Sequence, residues 1–160
     1  MIDPSIFNQF LQGVRMTDLW LQSCQAHVLD RAPISRERKK KQLILEFGFA
    51  PELVKATARK AVVDVTYGVK VKRKKQADSK ELAFLSVTFQ VEYETKTKMT
   101  NEIFDQFSKV TLLVHTVPFA RQWIHTQSVQ MGIEPILLPL AISHPAAVPR
   151  GMRKRKASKQ

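Results

Sequence analysis

The sequence predicts an α+β fold in which a four-stranded antiparallel sheet packs with helices. Three observations predict it: four stretches alternate apolar and polar residues, the later ones follow one another closely, and two helical apolar stripes come after the last of them. A length of 160 residues suits one domain, and a hydrophobic content of 44% is enough to pack a core.

The elements follow in order. Asp3 before Pro4 has the form of a helix cap with proline at the first helical position, where the missing N–H costs nothing. Ile6, Phe7, Phe10, Leu11 and Val14 then recur at helical spacing. Residues 4–14 therefore read as a short amphipathic helix within an N-terminal segment, 1–16. Its stripe can pack on the chain's own core, on a sister subunit or on a client. From Thr17 to Val28 the pattern is strand-like, with Leu19 and Leu21 expected on one face and Trp20, Cys24, Ala26 and Val28 on the other. Arg31 to Lys41 holds Pro33 and six basic residues opposed only by Glu37, a composition that requires a solvated crossover loop.

Leu43, Leu45, Phe47 and Phe49 alternate strictly, and Pro51 is expected to end that ladder. Ala61, Val63, Val65, Tyr67, Val69 and Val71 mark a third strand whose other face carries Asp64, Thr66, Lys70 and Lys72. After a polar turn at Lys72 to Lys80, Ala83, Leu85, Val87, Phe89, Val91 and Tyr93 mark a fourth. Short connections make such neighbours antiparallel.

Thr100 can cap a helix with Ile103, Phe104, Phe107 and Val110 on one side. Pro118 is then placed in the first turn of a further helix, 119–130, with Gly132 to stop it. Pro135 and Pro139 keep the apolar stretch 135–142 extended over the core. Residues 17–143 make up the body on this reading, and 144–160 a disordered basic tail.

The net charge of +12 attracts anions of every kind. Yet segments 31–41, 70–80 and 150–159 carry 18 of the 26 basic residues, which leaves the remaining body near neutral. Nucleic-acid binding, above all through the basic tail, is the alternative function this charge suggests. Against it, the basic runs lack interleaved aromatics for base stacking. No glycine-rich phosphate loop occurs, and His27, His115, His125 and His144 are scattered, so no metal or nucleotide cofactor is expected. Cys24 and His27 would point to opposite faces of a strand, and Asp64 and Glu134 are single carboxylates. These readings argue against an enzyme. A lone cysteine, no apolar run of bilayer length and no signal-like start point to the cytoplasm and no membrane span.

The stretch Thr111 to Ile142 resembles the protein-export chaperone SecB. That family has an apolar run, a Phe-Pro-Tyr-Ala-Arg opening to its main helix, a glycine that ends it and a Pro-x-Leu-x-Leu-x-Pro-like segment. Here Val117, Pro118, Phe119, Ala120 and Arg121 stand at the opening, followed by Gly132 and then by Pro135, Leu137, Leu138 and Pro139. Glu81 to Leu85 also looks like the start of the family's fourth strand. The resemblance spans roughly residues 17–143. It implies a dimer of dimers, a homotetramer whose hydrophobic grooves hold unfolded clients without ATP, either exported preproteins or antitoxins.

Three departures qualify it. The exposed strand face and turn carry Lys70, Lys72, Arg73, Lys74 and Lys75 where the family is acidic, which leaves SecA doubtful as a partner. The family's C-terminal lid helix is replaced by prolines and a basic run, so the helix at 4–14 becomes the candidate cover for the groove. The crossover loop is basic, with Ile34 its one large aliphatic. For client binding the sequence nominates Trp20, Phe47, Phe49, Phe119 and Trp123, with Ile34 at the rim. Each of these can equally pack inside the subunit, because alternation does not separate a buried face from a groove lining.

Overall fold

A computed structural model describes residues 3–30, 34, 43–73 and 81–139. Helix α1 (Pro4–Gly13) leads into strand β1 (Arg15–Val28), followed by β2 (Leu43–Ala56), β3 (Lys60–Arg73) and β4 (Glu81–Glu94). Helices α2 (Asn101–Lys109) and α3 (Thr111–Gln130) complete the order. The fold is α+β. Its sheet is wholly antiparallel in the order β1-β4-β3-β2, so β1 crosses the sheet to pair with β4 and leaves β1 and β2 as edges. The crossover loop lies outside the described residues apart from Ile34, as do most of the β3–β4 turn and the tail at 144–160.

Alternation works as expected in the sheet centre. Ala61, Val63, Val65, Tyr67, Val69 and Val71 stand opposite Tyr93, Val91, Phe89, Val87, Leu85 and Ala83. All twelve are buried, and they form the floor on which the helices pack. Phe107 of α2 and Leu112, Val117, Ala120 and Ile124 of α3 close over it. At ~1.5–3 kcal/mol for each large apolar side chain removed from water, this layer is the main source of stability.

Caps hold the helix ends. The Asp3 carboxylate accepts from Ser5 N at 2.8 Å, and Thr100 Oγ1 accepts from Ile103 N at 3.3 Å. Gly132 has φ 68°, a left-handed conformation suited to glycine, and it ends α3 with two reversed bonds. Gly132 N donates to Val129 O at 2.8 Å and Ile133 N to Ser128 O at 3.0 Å. Beyond it residues 134–139 form no helix or strand, with Ile136 and Leu138 in the core and Ile136 N donating to Ser128 Oγ at 3.0 Å; the rest of the expected stretch to 142 lies outside the described residues.

Three expectations need correction. Pro51 does not end β2, which continues to Ala56 with Pro51 opposite Val65. An edge strand tolerates this because its outward-facing N–H groups have no ladder partner to lose. The main helix starts at Thr111 rather than 119, with Pro118 inside it. A proline there removes the bond to the carbonyl four residues back, at a cost of ~3 kcal/mol in a plain helix. Pro118 and Val114 are both exposed, so water can satisfy that carbonyl, while burial of Leu112, Thr116 and Val117 holds the first turns in place.

The third correction concerns the faces of β1. Leu19 and Leu21 were expected opposite Cys24, Ala26 and Val28, but all five share the core face, opposite Val91, Phe89, Val87, Leu85 and Ala83. A register shift between Leu21 and Ser23 inserts one residue and reverses the parity of the strand beyond it. Trp20, opposite Gln90, lies alone among the nominated residues on the outer face.

The outer face is polar and mixed in charge. Gln90 donates to Asp64 at 2.6 Å, and Thr66 and Thr88 share a hydroxyl hydrogen bond at 2.9 Å. Lys70 pairs with Glu81 at 3.0 Å and Lys72 with Glu46 at 2.8 Å. Asp18, Glu92, Asp64 and Glu52 occupy the other end, so this face is less basic than Lys70 and Lys72 alone suggest.

Candidate polypeptide-binding site

Strand β1 and helix α3 leave a gap between them at the sheet edge. Leu21 of β1, Phe89 of β4 and Phe119, Gln122, Trp123, Thr126 and Gln127 of α3 line an open concavity of about 280 Å³. At ~30 Å³ per liquid water, it would hold roughly nine waters or one to two large side chains. None of the lining side chains is ionisable.

The spacing of Phe119, Trp123 and Thr126 places them on one face of α3, within successive turns. Phe119 leans over Phe89 with ring centroids 6.5 Å apart and planes at 58°. Phe89 is 6% exposed, whereas Phe119 is 44% and Leu21 48% exposed. The floor is thus fixed by the core and the rim is left wet. Phe119 and Leu21 therefore leave large apolar surface in water beside a buried floor.

Of the nominated residues, only Phe119 and Trp123 meet here. Phe49 is 4% exposed, against Tyr67 with ring centroids 5.3 Å apart, and Ile34 is 4% exposed within the core. Phe47 is half-buried and packs against the same core. Leu21 and Phe89 were not nominated. Their meeting depends on which β4 residue stands opposite which β1 residue, and no spacing within either strand contains that register.

A buried polar pair ties α3 to β3. Tyr67 and Thr116 are fully buried, with their hydroxyls 2.6 Å apart. Thr116 Oγ1 donates its single proton to Leu112 O at 2.6 Å, so the Tyr67 hydroxyl must be the donor between them. Burial pushes both Tyr67 and Tyr93 phenols far above their ordinary range, which keeps them neutral. Tyr93 Oη lies 3.1 Å from His115 Nδ1, and burial lowers the pKa of that imidazole.

Among the described residues no group of three or more His, Cys, Asp or Glu side chains converges as a metal would need. Cys24 is exposed on the core-face side of β1, while His27 stacks with Phe84 on the other. No helix among the described residues is long and apolar enough to cross a membrane.

No protein-family model and no curated protein matches the chain by sequence. Among solved structures, the fold is similar to a SecB-like chaperone of Mycobacterium tuberculosis, Rv1957, determined in complex with a ChAD peptide from the antitoxin HigA1. The match has a TM-score of 0.65 at 14% identity, covering 84% of this chain and 96% of that one. A protein of unknown function from Streptococcus agalactiae is also similar, with a TM-score of 0.46 at 10% identity, over 79% and 96% of the respective chains. The chain therefore has a SecB-like fold, which the resemblance in residues 111–142 implied. Its Mycobacterium tuberculosis neighbour is a chaperone that binds a peptide of an antitoxin.

Proposed function

We propose that the protein is an ATP-independent holdase chaperone that binds unfolded or extended segments of other polypeptides through apolar surface. The observation that carries this reading is the uncharged concavity of Leu21, Phe89, Phe119 and Trp123 at the edge of a SecB-like fold. Apolar burial is non-directional and tolerates many client sequences, so such a surface needs neither a reacting group nor nucleotide. The antitoxin peptide bound by the Mycobacterium tuberculosis neighbour favours an antitoxin as client over an exported preprotein. The protein acts in the cytoplasm on this reading.

A homotetramer built as a dimer of dimers belongs to the same proposal. Charged residues make up 25% of the chain, so a helix of 20 residues would carry about five. Helix α3 carries one, Arg121. Its solvent side shows Val114 at 69% and Val129 at 49% exposure, a surface suited to a second subunit.

The test is aggregation of a chemically unfolded protein, followed by light scattering with and without the purified protein, in low and high salt and without nucleotide. Suppression that survives high salt supports the holdase. Activity confined to low salt and transferred to a nucleic-acid probe supports the alternative of a basic nucleic-acid binder. Phe119→Ser together with Leu21→Ser should reduce holding while solution size stays unchanged. Failure to keep any denatured protein soluble overturns the proposal.

A further inference from the structure

The first helix is held in an unusual way. Helix α1 contains no charged residue and makes no ion pair with the body among the described residues. Only Phe7 and Phe10 of its ten residues are buried, while Ile6 is 50% exposed. Phe10 and Phe107 meet edge-to-face, with planes at 90° and centroids 6.0 Å apart. Phe107 in turn contacts Tyr93 edge-on, with centroids at 5.0 Å, and Tyr93 stacks on His115 at 5.7 Å. These aromatic groups belong to β4, α2 and α3, and α1 supplies the outermost ring.

At the other end of the helix Leu11 and Val14 pack half-buried against the core. Lys96 N donates to Gly13 O at 3.2 Å, and Val14 is extended at φ −99°, ψ 135°, where the chain turns into β1. A helix of ten residues is marginal once separated from the surface that it packs on. Were α1 to undock it would therefore unfold as well, with Gly13–Val14 as the hinge and β1 still paired to β4.

Resting on the holdase reading, we infer that the aromatic surface under α1 is a second client-binding site, occupied in the free protein by the chain's own helix. What α1 presents shows what the surface takes: an uncharged apolar segment with two aromatic side chains three positions apart, as Phe7 and Phe10 are. A client segment of that kind displaces α1 and puts its own ring against Phe107. The Leu21–Trp123 concavity stays open throughout and takes the first contact. Because α1 competes, the apparent affinity of this second site is set by the fraction of molecules with the helix undocked.

The experiment uses the full chain and a denatured client shown to bind it. Hydrogen exchange is measured on the free protein and on the complex. The amides of Phe7 to Gly13 should lose their protection in the complex, while those of β3 and β4 keep theirs. Unchanged or greater protection of α1 in a complex that demonstrably forms overturns this inference and leaves the holdase reading standing. Absence of any complex instead overturns the holdase reading. A Phe7→Ser/Phe10→Ser variant that keeps the wild-type solution size and the wild-type exchange protection of β3 and β4 should bind client about tenfold more tightly or better, since an open state of ~10% or less depresses affinity by that factor. Equal or weaker binding by that folded variant also overturns the inference. Should the variant not fold, the exchange measurement on the wild-type chain decides alone.

Discussion

The Tyr67–Thr116 pair allows a test in which one substitution changes the sign of its effect. Tyr67→Phe removes the donor of the 2.6 Å bond, but Thr116 keeps its own bond to Leu112 O. The loss should be that of an ordinary net hydrogen bond, ~0.5–1.5 kcal/mol. Thr116→Val instead leaves the Tyr67 hydroxyl fully buried with no acceptor, which costs the full desolvation of that group, ~1–3 kcal/mol. Leu112 O loses little, because the helical N–H of residue 116 still reaches it. Introduced into the Thr116→Val background, Tyr67→Phe removes the stranded hydroxyl and should restore about 1 kcal/mol or more. Equilibrium urea unfolding of the wild type and the three variants, at one fixed protein concentration, gives the coupling energy, and each 1 kcal/mol should move Tm by about 2–4 °C. The assignment of Tyr67 as donor is refuted if Tyr67→Phe destabilises both backgrounds equally.

Other expectations follow from single features. Gly132→Ala places a Cβ at φ 68°, so it should cost about 1 kcal/mol and fray the end of α3, measurable as faster amide exchange at Ile133. Phe107→Ala removes a fully buried ring that touches Phe10, Tyr93 and His115, and thermal unfolding should show a loss of about 3–5 kcal/mol. His115 binds its proton less readily in the folded chain than when unfolded, where 6.5 is the reference. Its contribution to stability is therefore complete above about pH 6.5 and falls as the pH drops below that toward the lowered folded value. Urea titrations from pH 8 to pH 5 should show this slope, and His115→Gln should flatten it.

Much of the fold was legible along the chain because its signals are local. Strict alternation in β3 and β4 needs no knowledge of neighbours, since one face of a pleated strand must leave water whatever it packs on. The caps at Asp3 and Thr100 and the stop at Gly132 likewise depend on residues a few positions apart. Phe119 and Trp123 were legible as large apolar groups near the opening of the main helix.

The remainder was decided in three dimensions. Pro51 was acceptable in β2 only because that strand became an edge, and Pro118 was acceptable inside α3 only because its face turned toward solvent. A single inserted residue near Gln22 brought Leu19, Leu21, Cys24, Ala26 and Val28 to one side, which no pattern of period two can express. Register also decided that Leu21 stands opposite Phe89, where Phe119 completes the site, while Phe49 and Ile34 are closed off in the core. Composition and periodicity determined which residues must avoid water. Whether they avoid it in the core or stay half-exposed at the sheet edge depends on which distant segments reach them, and that is a property of the packed fold.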